Sequence, residues 1–242
     1  MQREYRKAFS QSLNREMELL VFGHAGAPVL AFPTSAGRFY ELEDHGVVAA
    51  LEPRISSGEL QLFCVDSVDA ESWYNRRISP RARIARHIQF ENYLTRELVP
   101  EISRAFDSAK RSGPQGIAAF GCSFGGYHAV NLALRHPDLF TAVVSLSGAF
   151  DLSSFLDGYS DQESYLHLPT WYLPNLTDPW FLTRLRRNRL VLATGWDDQC
   201  RLQNEQLDHI LNQKQIPHHF HVWAAENAHD WPTWCRMAQD YL

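Results

Sequence analysis

Cysteine is scarce in this 242-residue sequence: Cys64, Cys122, Cys200 and Cys235 lie far apart, and none belongs to a Cys-x-x-Cys pair. That spacing excludes a zinc ribbon and suggests no disulfide framework. Runs of one charge are also missing. With 23 Lys+Arg against 28 Asp+Glu, the formal net charge is -5, and no basic cluster provides the footprint of a nucleic-acid binder. The densest basic stretch, Arg76, Arg77, Arg81, Arg83 and Arg86, reads as a solvated loop and helix face. No repeat, low-complexity tract or linker composition appears. Met1 to Lys7 lack the apolar stretch of a signal peptide, so a cytoplasmic location is expected.

What is present is ordinary for a globular protein, with 45% hydrophobic and 21% charged residues. The expectation is a single domain over residues 1–242 that buries roughly 70–75% of its unfolded surface without metal or disulfide staples. One stretch, 112–134, carries no Asp, Glu, Lys or Arg and is long enough for a membrane span. Five glycines and Pro114 break it into shorter elements, so no membrane association is predicted.

Apolar runs at 17–22 and 29–32 flank a turn-rich link, 23–28, of the kind that joins antiparallel strands. Residues 39–51 have helical spacing and stop before Pro53. Leu60–Val65 reads as a buried strand, and 79–109 as a long amphipathic helix kinked around Pro100. Strands at 116–120, 142–146, 190–193 and His219–Trp223 then alternate with helices at 125–136, 202–213 and from Trp231 onward. Nearly continuous apolar strands alternating with helices imply an α/β class, a mostly parallel sheet with helices on both faces.

Gly121-Cys122-Ser123-Phe124-Gly125 is a G-x-S-x-G motif placed directly after a strand and before a helix. That context presents a serine on a tight, strained corner. A phosphate-binding loop would need a lysine where Tyr127-His128 follows the glycines. A serine hydroxyl requires a base, and the base a carboxylate to orient it. The order serine, acid, histidine is met by Asp197 or Asp198 on the loop after 190–193 and by His229 on the loop after His219–Trp223. Asp198, three residues after Gly195, is favoured over Asp197.

Of the eleven histidines, His24, His45, His87, His136, His167 and His209 fall in turns or on polar helix faces, and His128 is too close to Ser123 to fold back on it. His219 and His221 share one face of a strand that reads as internal, and no third ligand accompanies them. No metal and no cofactor is called for.

These residues, together with Leu-Arg-His-Pro-Asp-Leu-Phe (134–140), Leu-Ser-Gly-Ala-Phe-Asp-Leu (146–152), Tyr-Leu-Pro-Asn-Leu (172–176) and Ile-Pro-His (216–218) leading to His-Asp-Trp-Pro (229–232), resemble the Putative esterase family of α/β-hydrolases. That family includes the S-formylglutathione hydrolase (esterase D) and mycolyltransferase types. The resemblance implies an α/β-hydrolase fold without a separate lid domain, and a serine esterase with Ser123 as nucleophile, His229 as base and Asp198 as acid. It implies oxyanion donors at the backbone N–H of Phe124 and of Ser35, with Thr34 as runner-up for the second.

Specificity is expected in the aromatic excursion 148–188, too short for a lid domain. Trp73, with its neighbour Tyr74, and Tyr159, Trp171 and Trp231 are candidates for contacting a small-molecule ester or thioester of small acyl chain. An acyltransferase with the same triad and a non-catalytic binding protein on this scaffold are the alternatives. The oligomeric state is left open, a homo-oligomer included.

Overall fold

The computed structural model describes residues 1–108, 116–224 and 228–242. Eight strands, β1 (Arg3–Ser10), β2 (Arg15–Phe22), β3 (Ala27–Phe32), β4 (Leu60–Val65), β5 (Ile117–Cys122), β6 (Phe140–Leu146), β7 (Arg189–Gly195) and β8 (His219–Trp223), form one sheet in the order β1-β2-β4-β3-β5-β6-β7-β8. β1 pairs with β2 and β2 with β4 in antiparallel fashion, and all other pairs are parallel. This is the α/β-hydrolase fold.

The pleat divides the core in two. Leu30, Phe32, Phe63, Val65, Ala119, Val143 and Leu192 face one apolar layer. Their neighbours Val29, Ala31, Leu62, Cys64, Phe120, Val144 and Val191 face the other. The first layer is covered by helices α1 (Pro80–Tyr93), α2 (Val99–Ser108), α3 (Phe124–Arg135) and α4 (Arg201–Gln213). The second is covered by α5 (Trp231–Tyr241) and three short helical turns between Glu41 and Ser56. Both faces being buried explains why the inner strands β3 to β7 are apolar for most of their length. Among the described residues, no helix is long and apolar enough to cross a membrane.

Several local expectations are corrected. The link 23–28 does not close a hairpin, because β4 inserts between β2 and β3. The hairpin partner of β2 is β1, a charged edge strand whose mostly exposed residues carry no apolar signal. Residues 39–51 are not one helix ending before Pro53: Gly46, at φ +86°, breaks the run, and Pro53 sits in the first turn of the last short helix. The break in 79–109 is a π-helical turn, Leu94–Leu98, just ahead of Pro100, which has no N–H to give the carbonyl four residues back. β8 is an edge strand, and His219 and His221 are exposed on it.

The basic stretch is solvated at Arg76, Arg77 and Arg81 but not throughout. Arg83 is buried, and its guanidinium donates to the carbonyls of Asn75, Ile78 and Phe155 and to Asp157. It thereby ties the excursion 148–188 to the start of α1. His87 and His167, read as residues of turns or polar faces, are buried as well.

The chain reverses its direction of progress between β3 and β5, which lie side by side in the sheet. Open α/β sheets bind ligands at the carboxyl ends of the strands flanking such a switch point. The loop after β3 and the turn after β5 therefore define where a site is to be sought.

Candidate active site

Ser123 joins β5 to α3 with φ 55° and ψ -120°, a conformation that costs an L residue on the order of 1–3 kcal/mol. Packing holds it there. A Cβ on Gly121 would collide with the Gly125 carbonyl, and one on Gly125 would sit 2.5 Å from the carbonyl oxygen of Pro33. The Ser123 N–H donates to Leu146 O at 2.8 Å, and its carbonyl accepts from Gly126 and Ala149.

The residues expected to meet do meet. His229 Nε2 lies 2.8 Å from Ser123 Oγ, and His229 Nδ1 lies 2.9 Å from Asp198 Oδ1. His229 precedes α5, whose first turn is capped by the Asp230 carboxylate accepting from Thr233 N–H at 2.9 Å. One face of its ring is met by Trp234 at 4.8 Å and 83°, and Trp234 Nε1 donates to Ser147 Oγ at 2.9 Å. The imidazole is thus fixed by packing as well as by hydrogen bonds.

Asp198 is buried, whereas Asp197 is exposed. Burial works against ionisation of Asp198, but hydrogen bonds from His229 and from the Cys200 N–H (2.7 Å) hold its pKa below the ordinary carboxylate range. The site thus carries a carboxylate, an imidazole and a hydroxyl in one line.

Two backbone amides lie on the turns that flank the switch point, one after β5 and one after β3. Phe124 N–H is the first of α3, with no intrahelical acceptor and at the positive end of the helix dipole. After β3, the Thr34 N–H is taken by the Glu41 carboxylate at 2.6 Å, as is its hydroxyl at 3.0 Å. Among the described residues no protein acceptor takes the Ser35 N–H.

The aromatic candidates separate. Trp73 is fully buried against His87, Tyr127 and Phe155, so it packs the core and does not reach the mouth of the site. Trp171 is partly buried on the same core, and Tyr159 is half-buried with its hydroxyl on Asp161. Neither has a hydrogen bond or ring contact with Ser123, Asp198 or His229. Trp231 is adjacent, edge-on to Trp234 at 5.0 Å and stacked on His45 at 4.3 Å. Tyr74, beside Trp73 in sequence, packs on the residue after Ser123: its ring meets Phe124 at 5.2 Å and Phe155 at 4.9 Å. In a loop no periodicity separates inward from outward neighbours, so sequence alone could not choose between the two.

Among the described residues, two groups bring metal-ligating atoms within 4.8 Å of one another: His87, Glu91 and His167, and Asp198, Cys200 and His229. Glu91 is already engaged by Arg135 and His136. The second group is the serine site itself.

A strained serine elbow backed by imidazole and carboxylate at the carboxyl edge of this sheet is the arrangement of a serine hydrolase. The family described as Putative esterase matches residues 10–237, and the chain belongs to it; it is a serine hydrolase of the carboxylesterase type. The diacylglycerol acyltransferase/mycolyltransferase Ag85A of Mycobacterium leprae is 41% identical over 66 residues, 27% of this chain and only 19% of that protein's length. Among solved structures, a ferulic acid esterase superposes with TM-score 0.77 at 18% identity, covering 99% of this chain and 95% of the other. An S-formylglutathione hydrolase from Agrobacterium tumefaciens superposes with TM-score 0.72 at 16% identity, covering 98% and 92%.

Proposed function

We propose that residues 1–242 act as one α/β-hydrolase domain that cleaves small-acyl carboxylic esters or thioesters through Ser123, His229 and Asp198. The observation that carries this reading is the continuous relay at His229, 2.8 Å from the Ser123 hydroxyl and 2.9 Å from the Asp198 carboxylate. Ser123 Oγ attacks the acyl carbonyl while His229 Nε2 accepts its proton. The carbonyl oxygen becomes an oxyanion held by the N–H groups of Phe124 and Ser35. Collapse breaks the bond to the alcohol or thiol, which leaves with the proton from His229. Water, deprotonated by the same imidazole, then cleaves the acyl-serine ester and frees the acid. Asp198 fixes the Nδ1–H tautomer throughout.

The small-acyl preference is supported by the short excursion 148–188, much of which is anchored on the core through Phe150, Leu168 and Leu173. A fluorophosphonate probe, with the labelled peptide located by mass spectrometry, tests the nucleophile; label anywhere but Ser123 overturns the assignment. A p-nitrophenyl ester series tests the acyl preference, which fails if chains beyond about ten carbons are hydrolysed fastest. The stretch shared with the mycolyltransferase keeps acyl transfer as the second reading. Acyl product partitioning to an added alcohol in preference to water would establish it.

A further inference from the structure

Tyr74 touches both residues whose amides are assigned above to the oxyanion hole, Ser35 and Phe124. Its hydroxyl donates to Ser35 Oγ at 2.6 Å, while its ring stands edge-on to Phe124 at 5.2 Å and 70°. Ser35 is otherwise an exposed residue in a short loop, followed by Ala36 at φ +53°. An exposed loop loses conformational freedom only where something holds it. Here the holding groups can be named. Glu41 grips Thr34 through two hydrogen bonds, Ser67 Oγ donates to Gly37 O at 3.0 Å, and Tyr74 takes the residue between them.

Tyr74 is itself held. Its ring meets Phe155 at 4.9 Å, and the Arg76 guanidinium lies 4.8 Å from the Phe155 ring while donating to Ser154 O and Asp157. Burial pushes the Tyr74 phenol above its ordinary pKa, so the proton stays on the oxygen as a donor. An acceptor-engaged hydroxyl such as that of Ser35 also becomes a better donor outward.

We infer that Tyr74 is a positioning residue that sets the Ser35 arm of the oxyanion hole against the Phe124 arm, so that both donors are in place before charge develops on the substrate. This inference rests on the proposed roles of Ser123, Phe124 and Ser35. Stabilisation of an oxyanion depends on donors that need no reorganisation, and a misplacement of about 1 Å can cost up to roughly 100-fold in rate. The hydroxyl would therefore be felt in the transition state and not in ground-state binding.

The test compares wild type, Tyr74→Phe, Ser35→Ala and the double variant, using p-nitrophenyl acetate kinetics and the affinity of an aryl boronic acid, which forms a tetrahedral adduct with the serine. Tyr74→Phe should lower kcat by roughly 10-fold to 100-fold with KM within about twofold, and should weaken the boronate by a similar factor. Ser35→Ala, a change at an exposed position, should do the same, and the double variant should be no worse than the poorer single one within about twofold. A Tyr74→Phe enzyme with kcat within about twofold of wild type, or single effects that multiply, would overturn the inference. Fluorophosphonate labelling separates the two levels. Wild type unlabelled at Ser123 overturns the site reading and this inference with it, whereas labelled wild type with an unaffected Tyr74→Phe overturns this inference alone.

Discussion

Glu91 and Arg135 meet through paired hydrogen bonds of 3.0 Å, Oε2 to Nε and Oε1 to Nη2, and so join α1 to the last residue of α3. His136 Nε2 lies 2.8 Å from the same carboxylate, and His167 Nδ1 lies 3.4 Å from it. The helix that follows Ser123 therefore ends on a buried ionic cluster.

That cluster makes the fold acid-sensitive. Burial and the Arg135 charge push the His167 pKa down to about 4, and burial lowers that of His87 as well. The unfolded chain takes up these protons near pH 6.5, so the stability due to neutral histidine is complete above about 6.5 and drains as pH falls toward 4. Burial opposes ionisation of Glu91, but the His136 hydrogen bond and the charges of His167 and Arg135 prevail and hold its pKa below the ordinary range. Its contribution is present above about pH 4.5 and is lost below. Both act in the same direction. Urea midpoints should be level from pH 7.5 to about 6.5 and fall from there to 5.0, with His167 alone worth up to about 3 kcal/mol by pH 4. A midpoint constant over that range would contradict the assignment.

The two adjacent aspartates should behave differently. Asp198→Asn leaves the imidazole in the wrong tautomer and should lower kcat on the order of 1,000-fold to 10,000-fold. Asp197→Asn, at an exposed side chain, should stay within about twofold. Steady-state kinetics of the two variants decides, and equal losses would show that the loop acts as a unit.

Arg83 should matter for order more than for chemistry. Its guanidinium satisfies three carbonyls and Asp157, so Arg83→Met leaves those acceptors short of donors and should cost about 2–4 kcal/mol. Limited proteolysis should then cut within 148–188 faster than in wild type. Unchanged cleavage would mean that the excursion is held by its apolar anchors alone.

The cysteines supply a check on the core. Cys64, Cys122 and Cys200 are buried and their thiols are pushed up in pKa by burial, the first and last to about 12. Only Cys235 is partly exposed. A thiol reagent should modify at most one cysteine rapidly in the native protein and four after unfolding, and a second fast native thiol would contradict the described packing.

What could be read in advance follows physical lines. The parallel strands β5 to β8 were legible because they carry apolar runs between turn residues, and Ser123, Asp198 and His229 because a strand-to-helix motif and chain order constrain them. β1 was not legible, since an exposed charged edge has no apolar pattern. The pairing of β2 was misread because register with β4, some forty residues on, is a tertiary matter. Arg83, His87 and His167 read as surface residues because a polar side chain shows its type in the sequence but not the partners that let it be buried.

Gly125 packs against the Pro33 carbonyl, at the start of the loop that carries Ser35. The serine turn and that loop come from segments some ninety residues apart, yet they meet at Gly125, where a Cβ would lie 2.5 Å from Pro33 O and 2.6 Å from Phe32 O. A side chain added there would push on both at once. The turn that carries Ser123 and the loop that carries Ser35 are therefore mutationally linked, and this position offers no gradual route by which one could drift while the other is kept.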